Sequence, residues 1–387
     1  MRRVKKLFSA IVLSLITMCC VVFGSTQIST AEGEDYTYET FFMVMERYGL
    51  KTAKNLSGCS DVVIEEIIPV IGFDSIQSGF MFSFTRDSKP FGYMILDLMK
   101  EDPVVNFSFE DGKEDIYSRL INELERKDVD ISNIKKVILY DGMTGYYLFD
   151  SDNVYNQSGE CIFFEEVLDG ATIYSSASSI FRTYNSANNM ILTLTNSGYV
   201  MTQNPKLISN PVCYTQADAL AQTGKYACGV LGLTQIVKRD GLSNDSLATI
   251  FEELWDIMDA TCDTITPDYC YGSTGREKPG PAYVEYAQKR HKSVTFVKEN
   301  SPSSNFFKAA VNADRSSSLG YSIYTSAENK LEGHFVYVIG YAQTKSKTSG
   351  NYYNYLIVED GWDGKAYVNY TQVDMYDCVG FDYYSNY

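Results

Sequence analysis

Histidine is scarce in this chain: 387 residues hold two, His291 and His334. No Cys-x-x-Cys pair occurs either, so neither a structural zinc site nor any other metal or cofactor is expected. Basic residues are outnumbered, 33 against 49 acidic, for a formal charge of −16. A surface of that sign excludes nucleic acid as the expected partner. Past the first two dozen residues no segment is apolar enough to span a bilayer.

What is present begins with an export signal over residues 1–31. Arg2, Arg3, Lys5 and Lys6 precede an apolar run from Leu7 to Gly24, and Ser29-Thr-Ala31 supplies the small residues of a cleavage site. The run approaches membrane-spanning length, so an uncleaved anchor is the one alternative that ties the chain to a membrane. Lipid attachment at Cys19-Cys20 is disfavoured, because no convincing small residue precedes the pair. The expected location is therefore extracellular or at the cell surface.

The remaining length suggests two domains. Residues 32–205 carry 28 acidic against 13 basic groups, and residues 206–387 carry 21 against 16. So uneven a split fits modules with different tasks. In the front module, helical spacing at Tyr38–Leu50 and Asp115–Arg126 alternates with strand-like runs at Val62–Ile71, Gly79–Phe84, Phe91–Leu96 and Val104–Phe109. Further strands are expected at Lys136–Tyr140, Gly145–Phe149, Ile162–Val167 and Met190–Thr195. This reads as α+β. The module has no histidine, and its cysteines, Cys59 and Cys161, do not open amphipathic helices. Asn196–Pro205, polar and rich in turn formers, reads as an exposed connection where chain cleavage concentrates.

In the rear module, apolar residues at Val230, Leu233 and Val237, widened by Leu231 and Ile236, predict a buried helix opened by Cys228 and stopped by Asp240-Gly241. A thiol at a helix start faces unpaired N–H groups and the positive dipole end, which favour thiolate. Once Cys19 and Cys20 leave with the signal, seven cysteines remain. That odd count permits three disulfides and one free thiol, with Cys228 the one to leave free; all seven unpaired is the other reading. Asn244 or Asp245 is expected to cap a second helix with Leu247, Ile250, Phe251, Leu254 and Met258 on one face. Pro281 is suited to the first turn of a helix through Arg290. Ser293–Val297 reads as a strand and Ser304–Ala313 as a helix. The pattern then turns to strands at Leu319–Thr325, His334–Ala342, Tyr352–Glu359 and Ala366–Tyr370. Helices first and an antiparallel sheet second leave a cleft at the seam.

A thiol–imidazole mechanism has a short list of bases. His291, in Lys289-Arg-His-Lys292, reads as a solvated helix end. His334 opens the apolar run His334-Phe-Val-Tyr-Val-Ile339, where a polar ring needs a partner. Asp360, in Glu359-Asp-Gly-Trp362, ends a neighbouring strand, so an antiparallel return sets its carboxylate against the imidazole. Glu359 and Asp363 are the alternative carboxylates; strand alternation puts Glu359 on the opposite face from Asp360. Gln222, six residues before Cys228, is an amide donor that a loop can fold back beside the sulfur.

The order Gln222, Cys228, His334, Asp360-Gly-Trp362 resembles the papain-like cysteine peptidases. Within that clan, residues 210–372 look most like secreted bacterial enzymes of the streptopain and double-glycine leader-trimming kinds. The front module resembles, more loosely, a streptopain-type propeptide. The resemblance implies a papain-like helical subdomain with an antiparallel sheet subdomain over residues 206–387, preceded by an α+β prodomain at residues 32–205. It implies hydrolysis of peptide bonds in peptide or protein substrates by a Cys228–His334–Asp360 triad. Gln222 and the Cys228 N–H hold the oxyanion, Trp362 shields the histidine, and the enzyme is made as a zymogen silenced by its own prodomain. Asp360 stands where papain has asparagine, and Ala227 where papain has serine. Two other readings are a non-catalytic surface module on a papain-like shell and a transpeptidase- or transglutaminase-like acyltransferase.

Overall fold

The computed structural model describes residues 28–29, 35–36 and 38–385, apart from 73–76, 99, 101, 141, 144, 151–152, 158, 160, 163–198, 266–268, 326–329, 348, 363 and 374. The apolar leader, the strand expected at Met190–Thr195, most of the one at Ile162–Val167, and the alternative carboxylate Asp363 lie outside the described residues. No helix of the described residues is long and apolar enough to cross a membrane.

The front part opens with a two-residue pairing of β1 (Ile28–Ser29) with β2 (Asp35–Tyr36), then helix α1 (Tyr38–Ser57). An antiparallel run follows: β3 (Val63–Ile71), β4 (Gln77–Arg86), β5 (Lys89–Asp97) and β6 (Val104–Ser108). α1 lays Met45, Tyr48 and Ala53 on one face of this sheet, against Phe80, Phe82 and Phe84. Helix α2 (Ile116–Arg126) covers the other face with Ile116, Leu120 and Leu124. Its start is fixed by the Asp115 carboxylate, which accepts from the Ser118 N–H at 2.9 Å and satisfies an orphan donor. β7 (Ile138–Tyr140) joins β3 in parallel, and β8 (Tyr146–Phe149), β9 (Val154–Tyr155) and β10 (Cys161–Ile162) extend that edge.

The rear part has a helical layer: α3 (Gln216–Thr223), α4 (Cys228–Arg239), α5 (Leu247–Ile257) and α6 (Pro279–Gln288). Ser246 caps α5, in place of the expected Asn244 or Asp245; its hydroxyl accepts from the Thr249 N–H. A small sheet sits beside these helices, in the order β12 (Lys225–Tyr226), β14 (Cys270–Ser273), β13 (Thr261–Ile265), with a Cys262–Cys270 disulfide. The other described cysteines, 59, 161, 213, 228 and 378, are free thiols. The main sheet is β15 (Thr295–Asn300), β16 (Ser317–Thr325), β17 (Lys330–Ser346), β18 (Tyr352–Glu359), β19 (Lys365–Asn369) and β20 (Tyr376–Tyr384), with α7 (Ser304–Asn312) packed on it.

The two parts share one 15-stranded sheet. β6 pairs with β19 in the register Phe107↔Tyr367 and Asn106↔Val368. The Phe107 ring stacks on Tyr367 with centroids 4.6 Å apart, and Tyr355 Oη donates to the Val104 carbonyl at 3.0 Å. The front core reaches across to include Ala342, Tyr353 and Tyr355. The stretch expected as an exposed connection is different too. β11 (Tyr199–Leu207) is a strand antiparallel to the far end of β17, with bulges at Gln203 and Lys206. Its polar side chains are exposed while its backbone is paired, which is why composition alone read as a loop.

Candidate functional site

Cys228 takes the first helical position of α4, after an N-cap residue, Ala227, that has no side chain to offer the first-turn N–H groups. The backbone N–H groups of Phe335 on β17, and of Gly229 and Cys228 in the first turn, act on the sulfur and favour its thiolate. The Phe335 contact bridges from the helical layer to β17, one residue past His334. Glycine makes this approach feasible. A side-chain carbon on Gly232 would stand 3.1 Å from the Phe335 ring, and one on Gly229 would stand 2.6 Å from Thr274.

His334 sits on β17 with its ring between aromatic neighbours. Trp362 lies nearly parallel to it, 12° off with centroids 6.2 Å apart, and Tyr321 meets it edge-on at 5.8 Å. The imidazole bonds the backbone of Asp360, and Nε2 is buried without a partner, so that bond runs from Nδ1. Asp360 therefore holds the ring through its carbonyl. Its buried carboxylate accepts from the Trp362 N–H at 2.9 Å and fixes the turn instead. Asp360 thus meets the imidazole as the sequence led one to expect, with its backbone making the bond.

The turn itself demands glycine. Gly361 has φ +84°, and an added carbon would lie 2.8 Å from Leu231, one residue short of a turn beyond Cys228 on α4. The Gly361 carbonyl also accepts from the Gln216 N–H at 2.7 Å, so the start of α3 is anchored to the same turn. α3 is built by a Thr215–Asp218 capping box and ends at Gly224 in the left-handed conformation. Gln222 lies in its last turn with an exposed amide that hydrogen-bonds no described group. His291 is exposed after α6, as a solvated helix end should be.

Electrostatics reverse one expectation. Burial pushes the Cys228 thiol up to about 11, although the backbone donors of Phe335, Gly229 and Cys228 oppose it. Burial likewise lowers His334 to about 4, against the bond to Asp360. Desolvation outweighs the helix-start effect that favours thiolate. Burial thus favours the neutral form of each group, thiol at Cys228 and imidazole at His334. On the opposite face of β18, burial raises Glu359 to about 7, its bond to Cys213 opposing, with Asp360, Lys113 and Glu110 as charged neighbours.

Sequence reasoning passed over Tyr226. It lies on β12 two residues before Cys228, its ring 5.5 Å from Trp362 and 6.5 Å from Tyr271. No periodicity marks a tyrosine in a two-residue strand. Among the described residues, no cluster of three or more His, Cys, Asp or Glu side chains could hold a metal ion. No family model matches the chain, and no curated protein matches it.

Proposed function

We propose that residues 206–387 form a cysteine endopeptidase of the papain-like kind, exported and preceded by a regulatory front module. The single observation that carries this reading is the joint placement of the sulfur and the ring. The backbone N–H of Phe335 acts on Cys228 Sγ and favours its thiolate, and Phe335 is the neighbour of a histidine whose Nδ1 is held and whose Nε2 is buried and unpartnered. A buried nitrogen left without a partner is costly, and acceptance of a proton is the use this geometry offers it.

With the pair neutral at rest, His334 Nε2 takes the thiol proton as Sγ adds to the substrate carbonyl. The C=O becomes an oxyanion. Collapse restores the carbonyl, breaks the C–N bond and leaves a thioester, while the imidazolium returns its proton to the departing amine. Water then adds to the thioester with His334 again as base, and the carboxylic acid and free thiol are regenerated. Asp360 fixes the ring through its carbonyl, and Trp362 excludes water from that bond.

Residues 32–205 are proposed to act as the prodomain. The shared sheet means that its influence is exerted through a permanent junction or through separation of β6 from β19. Cleavage within β11, earlier the expected release point, would cut a strand of the rear sheet itself.

The test is peptide-library digestion read by mass spectrometry, with wild type, Cys228→Ala and His334→Ala, repeated with an added amine. Hydrolysis lost in both variants is expected. Full turnover by Cys228→Ala would end the reading, and amine-capped products would redirect it to acyl transfer.

A further inference from the structure

Three hydrogen-bonding atoms around Cys228 are buried without a partner: His334 Nε2, Trp362 Nε1 and Tyr226 Oη. The first serves the proton transfer. Trp362 excludes water from the His334–Asp360 bond, while Tyr226 has no task in the mechanism so far. Its side chain is 8% exposed. A buried hydroxyl left unpaired costs about 1–3 kcal/mol, whereas phenylalanine would fill the same space without that cost.

The position of the hydroxyl is well defined. β12 runs parallel to β14 in the register Tyr226↔Tyr271, and the Cys262–Cys270 disulfide ties β14 to β13. Trp362 packs on the ring. The oxygen stands 3.8 Å from where a side chain on Gly361 would begin, and the phenol interacts electrostatically with both Cys228 and Asp360. It therefore lies beside the turn that holds His334 and close enough to Cys228 to feel its charge. Burial raises its pKa well above the ordinary phenol range, so the group stays protonated with its O–H free to donate. Gln222, the donor expected from the sequence, is exposed in the last turn of α3.

We propose that Tyr226 is a further catalytic residue, whose buried hydroxyl donates a hydrogen bond to the oxyanion formed when Cys228 adds to a substrate carbonyl. This rests on the thiol reading above. No proton moves in the contact: the phenol keeps its hydrogen while the carbonyl oxygen gains and then loses negative charge. Loss of one such donor typically costs about 10²–10³ in rate.

Tyr226→Phe removes only the oxygen and keeps the packing on Trp362. The expected result is a fall in kcat of about 10²-fold with KM within about twofold of wild type. Affinity for a peptide aldehyde, whose adduct with the thiol carries the same oxyanion, should weaken by a similar factor. Alkylation of Cys228 by iodoacetamide forms no oxyanion and should proceed at the wild-type rate, and Tm should be no lower than wild type's, since the unpaired hydroxyl is gone. Unchanged kcat and aldehyde affinity would overturn the assignment alone. Wild-type turnover by Cys228→Ala would overturn the thiol reading and this assignment together.

Discussion

The ring of Phe335 lies against Gly232 so closely that a methyl group at residue 232 would stand 3.1 Å from Cδ1. That contact sets how near β17 comes to α4, and so how near His334 comes to Cys228.

Gly232→Ala therefore weighs two effects. Alanine favours a helix interior by about 1 kcal/mol over glycine, while overpacking costs about 1–3 kcal/mol. The site is fully buried between two rigid elements, so the clash should win, with a net loss of about 1 kcal/mol. Denaturant titration reads the stability, and kcat should fall in the same variant as β17 is displaced. A gain in stability would show that the strand yields freely.

The thiol raised to about 11 predicts slow alkylation at neutral pH. The rate with iodoacetamide should climb about tenfold per pH unit between pH 7 and 10, following the thiolate fraction. A rate already flat at pH 7 would mean a preformed ion pair.

His334 makes stability depend on acid. Its folded value of about 4 lies below the ordinary 6.5, so its contribution is present above pH 6.5 and is lost as pH falls toward 4. The upper bound is about 3 kcal/mol. Relative to His334→Gln, the wild type should lose stability across that window, as chemical denaturation at pH 7, 5.5 and 4 would reveal.

Glu359 acts in the opposite sense. Its folded value of about 7 lies above the ordinary 4.5, so its contribution is present below pH 4.5 and is lost as pH rises through 7. Glu359→Gln should gain on the wild type between pH 4.5 and 7.5, by up to about 3 kcal/mol. A difference that does not vary with pH would show that Cys213 and Lys113 fully satisfy the carboxylate.

The shared sheet predicts that the two modules do not part on a chain break. Residues 32–198 and 199–387 produced as separate chains should co-elute in gel filtration. Phe107→Ala should weaken the pairing, since truncating a buried aromatic costs about 3–5 kcal/mol. Independent elution of the unmutated halves would mean that the β6–β19 junction contributes little.

Much of the local structure was legible in the chain. The apolar spacing from Val230 to Val237 specified a buried helix, and α4 runs Cys228–Arg239 with that stripe in the core. Asp115 marked the start of α2, and short apolar runs between turn residues marked the strands from Val63 to Ser108. The cap of α5 was misplaced because Asn244, Asp245 and Ser246 are all good caps, and only the backbone conformation selects among them. β20 was passed over, although Val379, Phe381 and Tyr383 alternate in it, because Asp377 and Asp382 broke the apolar pattern; Asp382 is in fact paired with Arg315.

The sequence by itself determined which stretches coil and extend, and that one cysteine would open a buried helix while one histidine lies on a buried strand. These follow from periodicity and capping, which act over a few residues. The tertiary structure alone decided that β6 joins β19, that Asp360 holds His334 by its carbonyl, and that Tyr226 brings a buried, unpaired hydroxyl beside the Gly361 turn. It also decided that burial outweighs the helix start and leaves that sulfur protonated. Each depends on groups far apart in the chain and on how much water is excluded when they meet, and no local pattern records either.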